Sequence, residues 1–446
     1  MSALRVLLVG PSMGFGAREH AIAWLLSQSE RVQEVLVLRG NAATLFLPKV
    51  RHIHHPTGGK WEIPQIVNIA VQEKVDCVVI GPEEFLVAGL VDVLNSVGIR
   101  ACGPSAAAAK LEGDKTWSAR IMRAANIPQP RFWIFYNNAK AVRFARKHSG
   151  VVVKLANLHG GKGVWVCKTK QQAEQVILFC GRQYPGEPIV IQELLEGMEV
   201  SVFCFTDGYT ISNCIAAVDY KPRFEGNRGP NTGSMGSFSP PEWWNKRIEN
   251  RIVETILQPI VDAMRARGIV YKGVLYAGLM ITKRGSKVLE FNCRFGDSEA
   301  QVILPLLDTD LVEVMQACID GTLHTISVEW NRNLKAVTVA LVDKEYPESP
   351  GAGSGGKIHG LNDIDDHLVR VFHYSTVRVE CENGEAYAQI YGGGRRLAVT
   401  AVAKTLEEAR KRAYEAIGKI QFSGMDYRRD IAKSQVLPRE LVSVCM

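Results

Sequence analysis

Residues 288–297 read Val-Leu-Glu-Phe-Asn-Cys-Arg-Phe-Gly-Asp, an apolar strand pattern that ends in polar side chains. Side chains two positions apart on a strand point to one face, so Glu290 and Asn292 offer oxygen atoms to the same spot. Such oxygen ligands suit Mg²⁺, which proteins commonly bind through one or two side chains while phosphate and water complete its shell. Arg294 and Asp297 follow the strand end, where the guanidinium can bind an anionic oxygen and the carboxylate can hold the guanidinium. The stretch predicts a site for a metal and a polyphosphate; the alternative is a surface hairpin with solvated charges.

The composition of the whole chain limits the classes of protein that it can form. The chain has 446 residues, 46% of them hydrophobic, and no long apolar stretch, which predicts a globular protein of two to four domains with no membrane partner. The first ten residues run directly into a strand pattern without a cleavage site, so we expect a cytoplasmic location. The formal charge of +7 is modest, and lysines and arginines are interspersed with acids. Small anionic substrates explain this charge as well as a nucleic acid does, and we expect no nucleic-acid partner.

Cysteine and histidine residues give no convincing metal-binding pattern. The ten cysteines include no Cys-x-x-Cys pair and no tight cluster, which predicts reduced thiols in the core. His52, His54 and His55 form a His-x-His-His segment, but no cysteine or acidic residue lies nearby to complete a site. We therefore expect these histidines to be solvated in a loop.

Alternating strand and helix patterns over the first hundred residues predict a parallel α/β sheet. The glycine-rich turn at residues 10–20 could let a phosphate approach backbone N–H groups at a helix start. Its spacing is not Gly-x-Gly-x-x-Gly, and no acidic residue is placed for a ribose after the second strand, so a nicotinamide enzyme is disfavoured. Glu83 follows a later strand, at the edge where open α/β sheets bind ligands. The predicted strands are 5–10, 34–38 and 77–81, and the predicted helices are 18–29, 63–73 and 86–96.

A strand-rich unit follows a basic helical stretch at residues 116–125. Its loop 159–163 carries glycines that allow the backbone to fold tightly over oxyanions, and Lys154 and Lys162 provide positive charge. The loop therefore predicts a phosphate cover, and the alternative is an ordinary β-turn with lysines in water. The predicted strands of this unit are 151–154, 164–167 and 189–193, with a helix near 171–179.

Residues 201–330 predict a larger catalytic unit, and the remainder predicts an α+β tail. The loop 229–236 consists mainly of small residues, which favours a backbone surface shaped for a ligand over a mobile surface turn. A long helix is predicted at 245–267. In the tail we predict strands at 336–342, 369–379, 386–390 and 397–403, a flexible turn at 351–356 and a helix at 405–420.

The order of motifs resembles one family over nearly the whole chain: the phosphoribosylamine–glycine ligases of the ATP-grasp superfamily. The resemblance implies an α/β and α+β multidomain fold. Its units would be an N-terminal Rossmann-like parallel sheet at 1–104, an ATP-grasp catalytic domain at 105–128 and 196–332, a lid subdomain at 129–195, and a small C-terminal α+β domain at 333–446. The motifs that carry the resemblance are Arg18-Glu19-His20, Gly40-Asn41-Ala42, Gly81-Pro82-Glu83, Leu111-Glu112-Gly113, Gly161-Lys162-Gly163-Val164, Gly229-Pro-Asn-Thr-Gly, Tyr276-Ala-Gly-Leu-Met, Glu290-Phe-Asn-Cys-Arg-Phe-Gly-Asp, Gly393-Gly-Arg395 and Arg410-Lys-Arg-Ala-Tyr414.

The chemistry that the resemblance implies is an amide-forming ligation. ATP would phosphorylate the glycine carboxylate, and the amine of 5-phosphoribosylamine would attack the glycyl phosphate to give an amide, ADP and phosphate. Phosphoryl transfer depends mainly on positioning and on neutralising charge, so no Ser or Cys nucleophile is required. The implied cofactors are ATP and Mg²⁺, with Mn²⁺ as an alternative metal. The implied partners are small molecules only, namely ATP, an amino acid and a phosphorylated sugar amine, and we expect a monomer.

The resemblance also implies roles for individual residues. Contacts to ATP would come from Lys115, Lys154 and Lys162 at the phosphates, from the hinge Gln192, Glu193 and Leu195 at adenine, and from Glu199 at the ribose. Glu290 and Asn292 would bind the metal, and the catalytic residues would be Arg294, Asp297 and Lys154. The substrate-binding residues would be Gly16, Arg18, Glu19, His20 and Glu83 near the sugar phosphate, and Asp219, Lys221, Pro230, Asn231, Thr232, Gly233 and Arg294 near the amine and the amino acid.

The chain departs from the family pattern mainly near the acceptor substrates. The turn at 10–20 is longer than the family's Gly-Asn-Gly-Gly-Arg-Glu-His, the family's Asp-His-Lys becomes Asp219-Tyr-Lys221, and Gly-Gly-Met-Gly becomes Gly233-Ser-Met-Gly236. These departures leave open a paralogous ATP-grasp ligase that joins a different amine and carboxylate. A third alternative is a nucleotide-binding regulatory protein without catalysis, against which the retained residues of the metal strand and Lys154 argue.

Overall fold

The computed structural model describes residues 3–12, 15–159, 163–348, 355–380 and 386–433. The N-terminal part is a five-stranded parallel sheet in which the first strand lies between the second and the fourth. The carboxyl ends of the first and fourth strands therefore flank a topological switch point, the place where open α/β sheets bind ligands. The elements are β1 (Leu4–Val9), α1 (Ala17–Gln28), β2 (Val32–Leu38), β3 (Val50–Ile53), α2 (Ile63–Gln72), β4 (Cys77–Ile80), α3 (Glu83–Val87), α4 (Leu90–Ser96) and β5 (Arg100–Cys102).

Strand β1 is covered on both faces, which explains its continuous apolar sequence. Leu7 packs into one core cluster and Leu8 into another, because successive side chains of a strand point to opposite faces. The predicted parallel sheet is confirmed. The single helix predicted at 86–96 is wrong in detail: Gly89 has a φ of +88°, a left-handed conformation that interrupts the helix and separates α3 from α4.

The unit around residues 132–193 is an antiparallel sheet of four strands in which the last strand lies between the first and the second. The inner side chains of its strands pack against two helices to form a core cluster of their own, to which Val153, Ile177 and Ile191 belong. The elements from the end of the first sheet onward are α5 (Ala106–Gly113), α6 (Lys115–Ala124), β6 (Phe132–Phe135), α7 (Asn138–Ala145), β7 (Val151–Leu155), β8 (Val164–Cys167), α8 (Lys170–Gln183) and β9 (Ile189–Glu193).

The rest of the chain is built on one sheet of nine strands, so the tail continues the sheet of the central unit. The first strand after residue 333 pairs with the strand Gly236–Ser239, and the predicted boundary at 333 falls between these two neighbours. The elements are β10 (Met198–Thr206), β11 (Ile215–Asp219), β12 (Pro222–Phe224), β13 (Arg228–Asn231), β14 (Gly236–Ser239), α9 (Lys246–Ile252), α10 (Gln258–Arg265), β15 (Gly273–Thr282), β16 (Gly285–Asn292), α11 (Ala300–Ile303), α12 (Leu311–Asp320), β17 (Lys335–Asp343), β18 (Val369–His373), β19 (Thr376–Glu380), β20 (Ala386–Ile390), β21 (Arg395–Ala403), α13 (Leu406–Ile417) and β22 (Met425–Asp426).

Two predicted elements of this half differ from the structure. The helix predicted at 245–267 contains a π-helical turn, Val253–Leu257, just before Pro259, so α9 and α10 are distinct. The strand predicted at 369–379 is two strands, because the chain turns after His373 and β19 pairs with β20 outside the large sheet. Most of the turn predicted at 351–356 lies outside the described residues.

The eight cysteines in the described part of the chain are all buried and free, as the sequence predicts; Cys381 and Cys445 lie outside it. Of the helices that the structure describes, none combines the length and the apolar character needed to cross a membrane.

Candidate active site at the ends of the central strands

Glu290 and Asn292 lie on β16, opposite Gly278 and Tyr276 of β15, and their side chains share a face as predicted. Asn292 is buried, and its amide nitrogen has no hydrogen-bond partner among the described residues. A register shift next to this pair takes Leu289 out of the ladder, and the carbonyl oxygen of Leu289 accepts a hydrogen bond of 3.0 Å from Lys154 Nζ. The strand thus brings the predicted metal ligands and a predicted phosphate ligand together.

Three lysines surround the Glu290 carboxylate. Burial favours the neutral form of this carboxyl, but Lys221, Lys154 and Lys115 outweigh burial and lower the pKa of Glu290. Burial lowers the pKa of Lys154 and of Lys115, and Glu290 partly restores both. An anion that binds between these lysines would reduce their mutual repulsion, and a phosphate chain supplies several charged oxygens.

The residues on this face fit a magnesium ion. Glu290 and Asn292 supply oxygen ligands, although the Asn292 oxygen also accepts a hydrogen bond of 3.3 Å from Arg294. The buried Asn292 nitrogen, which has no partner among the described residues, can donate to an anionic oxygen such as that of a phosphate. Within the described ranges, groups of three or more His, Cys, Asp and Glu side chains that could hold a metal do not occur. Two protein ligands agree with Mg²⁺, which takes phosphate oxygens and water for the rest of its shell.

Arg294 is held by two acidic residues that the sequence did not assign to it. Its Nε donates to Glu83 Oε2 at 3.1 Å, and one terminal nitrogen donates to Glu112 Oε1 at 2.8 Å. Burial alone would raise the pKa of Glu83, but Arg294 and Arg18 lower it to about 2. The expectation that Asp297 holds Arg294 is wrong, because the Asp297 carboxylate accepts hydrogen bonds from Arg395, Tyr374 and Gln301 instead. The only sequence feature that pointed to Glu112 was the Leu111-Glu112-Gly113 motif, and that motif by itself indicates no role for the carboxylate.

Asp297 instead joins the central unit to the tail. Arg395 donates to Asp297 Oδ2 at 3.3 Å and to the Asp297 carbonyl at 2.9 Å, and the Tyr374 hydroxyl donates to Asp297 Oδ1 at 3.0 Å. Arg395 also donates to the carbonyl of Gly233 at 3.0 Å, which ties the loop 229–236 to the same point. Sequence reasoning missed both Arg395 and Tyr374 as site residues. The Gly393-Gly-Arg395 motif was the only signal, and it carries no chemistry by itself.

The N-terminal turn reaches this junction from the switch point of the first sheet. A Cβ atom built on Gly16 would lie 3.4 Å from Asp297 Oδ2, and Arg18 donates to the carbonyl of Phe295 at 3.2 Å. Arg18 also pairs with Glu19 at 2.7 Å, and both side chains are buried. His20 is buried as well, and its Nδ1 accepts the backbone N–H of His373 at 2.9 Å. Direct substrate contact by these four residues stays a prediction; residues 13 and 14 lie outside the described part.

The loop 229–236 is fastened to the Asp219–Lys221 segment by backbone hydrogen bonds. The N–H of Thr232 donates to the carbonyl of Lys221 at 2.8 Å, and the N–H of Gly233 donates to the Tyr346 hydroxyl at 3.0 Å. Pro230 and Asn231 are exposed on β13. The structure therefore ties Thr232 to Lys221 and ties Gly233 to Tyr346 and Arg395, whereas Pro230 and Asn231 are exposed.

Tyr220, which replaces the family's histidine, lies on the other side of the chain from its two neighbours. Its ring contacts Phe238 and stacks with the guanidinium of Arg428, in the core cluster of the tail. Alternation along the extended chain leaves Asp219 and Lys221 on the site face. This departure from the family pattern is therefore outside the site.

The predicted adenine hinge joins the unit at 132–193 to the central sheet. Gln192 is buried in the middle of its sheet, and Leu195 is half-buried. Glu193 pairs with Arg131 at 2.8 Å and with Lys287 at 2.7 Å, and these partners lower its pKa to about 2 although burial opposes them. Glu199 pairs with Lys221. Lys115 donates to the carbonyl of Asn157 at 2.7 Å, and Lys162 lies outside the described residues.

The histidine segment differs from expectation. His52 lies on β3, half-buried, with its Nε2 at 2.8 Å from the Thr44 hydroxyl, and burial lowers its pKa to about 4. His55 Nδ1 accepts backbone N–H groups of Thr57 and Gly59. The expectation of a solvated loop is wrong for His52, because His52 lies on the third strand of the sheet. His55 lies in a loop as predicted, but it is half-buried, with its ring 4.6 Å from that of Trp61.

The three largest sheets and the strand-end site define a protein of the ATP-grasp class. Models of the phosphoribosylglycinamide synthetase N domain, ATP-grasp (A) domain and C domain match residues 4–112, 113–300 and 336–434. The chain belongs to the phosphoribosylglycinamide synthetase family, that of the phosphoribosylamine–glycine ligases. ATP-grasp proteins use ATP and Mg²⁺ in general.

Similar proteins cover the chain almost completely. A phosphoribosylamine–glycine ligase of Caldanaerobacter subterraneus is 39% identical over 96% of this chain and 99% of its own length. The trifunctional purine biosynthetic protein adenosine-3 of Bos taurus is 41% identical over 96% of this chain, which spans only 42% of that relative's length. The crystal structure of a phosphoribosylamine–glycine ligase of Thermotoga maritima has a TM-score of 0.79 at 30% identity and covers 96% of this chain and 100% of its own. A biotin carboxylase domain of Hydrogenobacter thermophilus, solved with MgADP and bicarbonate, shares the fold at 16% identity and a TM-score of 0.71, covering 96% of this chain and 92% of its own.

Proposed function

We propose that this chain is an ATP-dependent ligase that joins glycine to 5-phosphoribosylamine through a glycyl phosphate, a step of purine biosynthesis. The observation that carries the proposal is the strand end at Glu290, Asn292 and Arg294, on which Lys115 and Lys154 converge. Membership of the family supports the substrates. The relatives that are single-function ligases match this chain end to end.

The first step transfers a phosphoryl group. A glycine carboxylate oxygen bonds to the γ-phosphorus of ATP while the bond to the ADP oxygen breaks. Lys154 and Lys115 bind and neutralise phosphate oxygens, and Arg294, fixed by Glu83 and Glu112, orients the anion that accepts the phosphoryl group. Glu290 and Asn292 would hold Mg²⁺ or Mn²⁺, which when bound neutralises the developing charge on the phosphates.

The second step forms the amide. The amine nitrogen bonds to the glycyl carbonyl carbon, and the bond between that carbon and the phosphate oxygen breaks. Asp219, Lys221 and the residues 230–233 border the space for the amine and glycine, and Asp297 fixes this border through Arg395. Gly16, Arg18, Glu19, His20 and Glu83 lie at the switch point of the first sheet, where we place the sugar phosphate.

The hinge and the unit around it would hold the nucleotide. Gln192, Glu193 and Leu195 would bind adenine through backbone groups, and Glu199 and Lys162 would reach the ribose and the phosphates. Residues 129–195 would act as a lid over the catalytic domain at 105–128 and 196–332, since this unit has its own core. Hydrogen exchange tests this role: we expect the backbone amides of 163–195 to exchange more slowly when ATP and Mg²⁺ are present. Unchanged exchange rates would contradict the role of this unit as a lid.

A paralogous ligase with another amine or acid remains the second candidate, supported by the longer turn at 10–20 and by Ser234. An omission assay separates the two. We expect ADP release only when ATP, Mg²⁺, glycine and phosphoribosylamine are all present, with one amide formed per ADP. Absence of glycine- and amine-dependent ADP release, followed by activity on another pair in a substrate screen, would replace the leading candidate. ATP binding without turnover on any pair would favour a regulatory protein.

We further propose a cytoplasmic monomer that acts on small molecules only. Light scattering on the purified chain should give a mass near the 49.2 kDa of the sequence, and twice that mass would contradict a monomer.

A further inference from the structure

Ser234 has an unusual backbone conformation for a residue with a side chain. Its φ is +126°, a region that glycine occupies freely and other residues occupy at a cost of about 1–3 kcal/mol. The residue is fully buried, and its hydroxyl lies 2.6 Å from the Ser298 hydroxyl and accepts the N–H of Gly236 at 3.0 Å. A strained residue persists where its surroundings hold it, and here the bonds to Ser298 and Gly236 hold the hydroxyl in one place.

The hydroxyl of Ser234 acts on the carboxyl group of Asp219. Asp219 pairs with Ser237 across β11 and β14, and Ser237 is bonded to Ser298, which lies 2.6 Å from Ser234. Of these serines, Ser234 hydrogen-bonds to the Asp219 carboxyl, and Ser298 links it to Ser237. Asp219 Oδ1 is buried without a hydrogen-bond partner among the described residues. A buried acceptor without a donor is costly unless a ligand or a proton completes it.

The groups around Asp219 come from four elements. Burial and the carboxylate of Glu299, at the start of α11, raise the pKa of Asp219 to about 8, and Glu199 of β10 acts in the same direction. Lys221 and the Ser234 hydroxyl oppose them. Arg395 of β21 also interacts with Asp219. Glu299 itself accepts hydrogen bonds from Ser201 and Tyr276, both at 3.0 Å, so it is committed to the protein.

We propose that Asp219 accepts the proton that the attacking amine releases during amide formation, and that Ser234 is the positioning residue that holds its carboxyl. The inference rests on the proposed function and deepens it. As the nitrogen–carbon bond forms and the carbon–phosphate oxygen bond breaks, an N–H bond of the amine breaks and an O–H bond forms on Asp219. A base works best when its pKa is near the working pH, and an ordinary carboxyl is too weak.

The Asp219→Asn variant tests the role of Asp219. With ATP labelled by ¹⁸O at the β,γ-bridge and all three substrates present, bridge-to-nonbridge scrambling reports reversible glycyl phosphate formation, and amide is measured in the same sample. We expect amide formation to fall about 10²-fold or more, and the ratio of scrambling to amide to rise. An equal fall in the rates of scrambling and of amide formation would place Asp219 in the first step. A wild-type rate of amide formation would show that Asp219 takes no part in the reaction. Either result overturns the inference.

Controls separate this inference from the proposed function. Asp366→Asn removes a carboxylate that pairs with Arg412 on the surface helix α13, and we expect it to match the wild type. If the wild type itself forms no amide from glycine and phosphoribosylamine, the proposed function fails and the inference falls with it. If the wild type forms the amide and Asp219→Asn does so equally well, only the inference fails.

Ser234→Gly tests the positioning role, because it relieves the backbone strain and removes the hydroxyl. We expect thermal stability at least equal to the wild type, but about tenfold slower amide formation near pH 7. The loss should shrink toward pH 9, since removing the hydroxyl raises the pKa of Asp219. Comparing variant and wild type at each pH cancels effects on the substrates. Ser234→Thr keeps a hydroxyl and should restore activity in part. If the Ser234→Gly variant is as active as the wild type at every pH, Ser234 does not position the carboxyl of Asp219 and has only a structural role.

Discussion

The two ends of the candidate site carry opposite excesses of charge. At the ATP end, Lys115 and Lys154 lie beside the carboxylate of Glu290, and burial lowers the pKa of both lysines. Lys221, at the border between the two ends, interacts with both Glu290 and Asp219. At the acceptor end, burial and a neighbouring carboxylate raise the pKa of Asp219 to about 8. Repulsion between neighbouring cations decreases when an anion binds between them. Repulsion between neighbouring carboxylates decreases when one of them takes up a proton or when a protonated amine binds. The difference supports the proposal that a phosphate chain binds at one end and an amine at the other.

The two ends also differ in how the chain builds them. At the ATP end, Glu290, Asn292 and Arg294 are neighbours on one strand end, to which Lys115 and Lys154 are added from two other segments. The acceptor end has no such strand and joins remote segments through Arg395 and Asp297. A site on one rigid strand changes little when loops change. A site assembled from loops can take a new substrate when one of them changes. The longer turn at 10–20 and Ser234 lie at this end, whereas Tyr220 lies outside the site.

The largest effect is expected at the ATP end, from Glu290→Ala. Loss of the carboxylate removes the proposed metal ligand, and we expect kcat/KM to fall by several kcal/mol of transition-state stabilisation, on the order of 10³-fold or more. Metal-free ATP should bind at least as tightly as to the wild type, because three lysines lose their counter-charge. Glu415→Ala, on the exposed face of α13, is the matched control. Near-normal turnover would refute the role of Glu290.

Lys154→Met should have the next largest effect. The variant keeps the length of the side chain but loses the cation and the hydrogen bond to Leu289. Hydrogen bonds to charged groups contribute about 1.5–3 kcal/mol, so we expect KM for Mg-ATP to rise roughly 10–100-fold while KM for glycine changes little. Steady-state kinetics with Lys168→Met, an exposed lysine, as control measure this. An unchanged KM for ATP would move the phosphate site away from Lys154.

Arg395→Ala addresses the acceptor end. It removes the bonds to the Gly233 and Asp297 carbonyls, so the loop 229–236 loses its fixed position. We expect KM for glycine or the amine to rise on the order of tenfold while KM for Mg-ATP stays within about twofold, since misplacement of substrate-positioning groups weakens only the contacts they make. Arg378→Ala, an exposed arginine on β19, should behave as the wild type. A larger rise in KM for Mg-ATP than in KM for glycine or the amine would contradict the distinction between the two ends.

The last effect concerns the stability of the fold and not its activity, at the contact between the N-terminal turn and the tail. Burial lowers the pKa of His373 to about 4, and burial also lowers that of His20. Both are neutral when folded, so stability is full above about pH 6.5 and falls as the pH drops toward 4; for His373 the loss is on the order of 2 kcal/mol at pH 5.

Urea unfolding at pH 7 and pH 5 measures this loss. The variant His373→Asn should lose less stability between the two pH values than the wild type, whereas His148→Gln, on the surface, should lose as much as the wild type. Equal losses in all three proteins would mean that His373 does not stay neutral in the folded state.

The difference between the ends also decides what the sequence could predict. The parallel sheet followed from apolar runs such as β1, and the face shared by Glu290 and Asn292 followed from strand periodicity, because both are local properties. The partners of Arg294 did not follow: Glu83 and Glu112 come from distant helices, and only the fold brings them to the strand end. Ser234 was visible as a departure, but its left-handed backbone and its effect on Asp219 depend on contacts between β11, β14 and α11.

Calorimetric titration of Mg-ATP into Asp219→Asn and Lys154→Met tests the separation of the two ends most directly. We predict that Asp219→Asn binds Mg-ATP within about twofold of the wild type and that Lys154→Met binds it at least about tenfold more weakly, the size of one charge-assisted contact. Equal weakening of both variants would show that one undivided site serves all substrates, and would contradict the account.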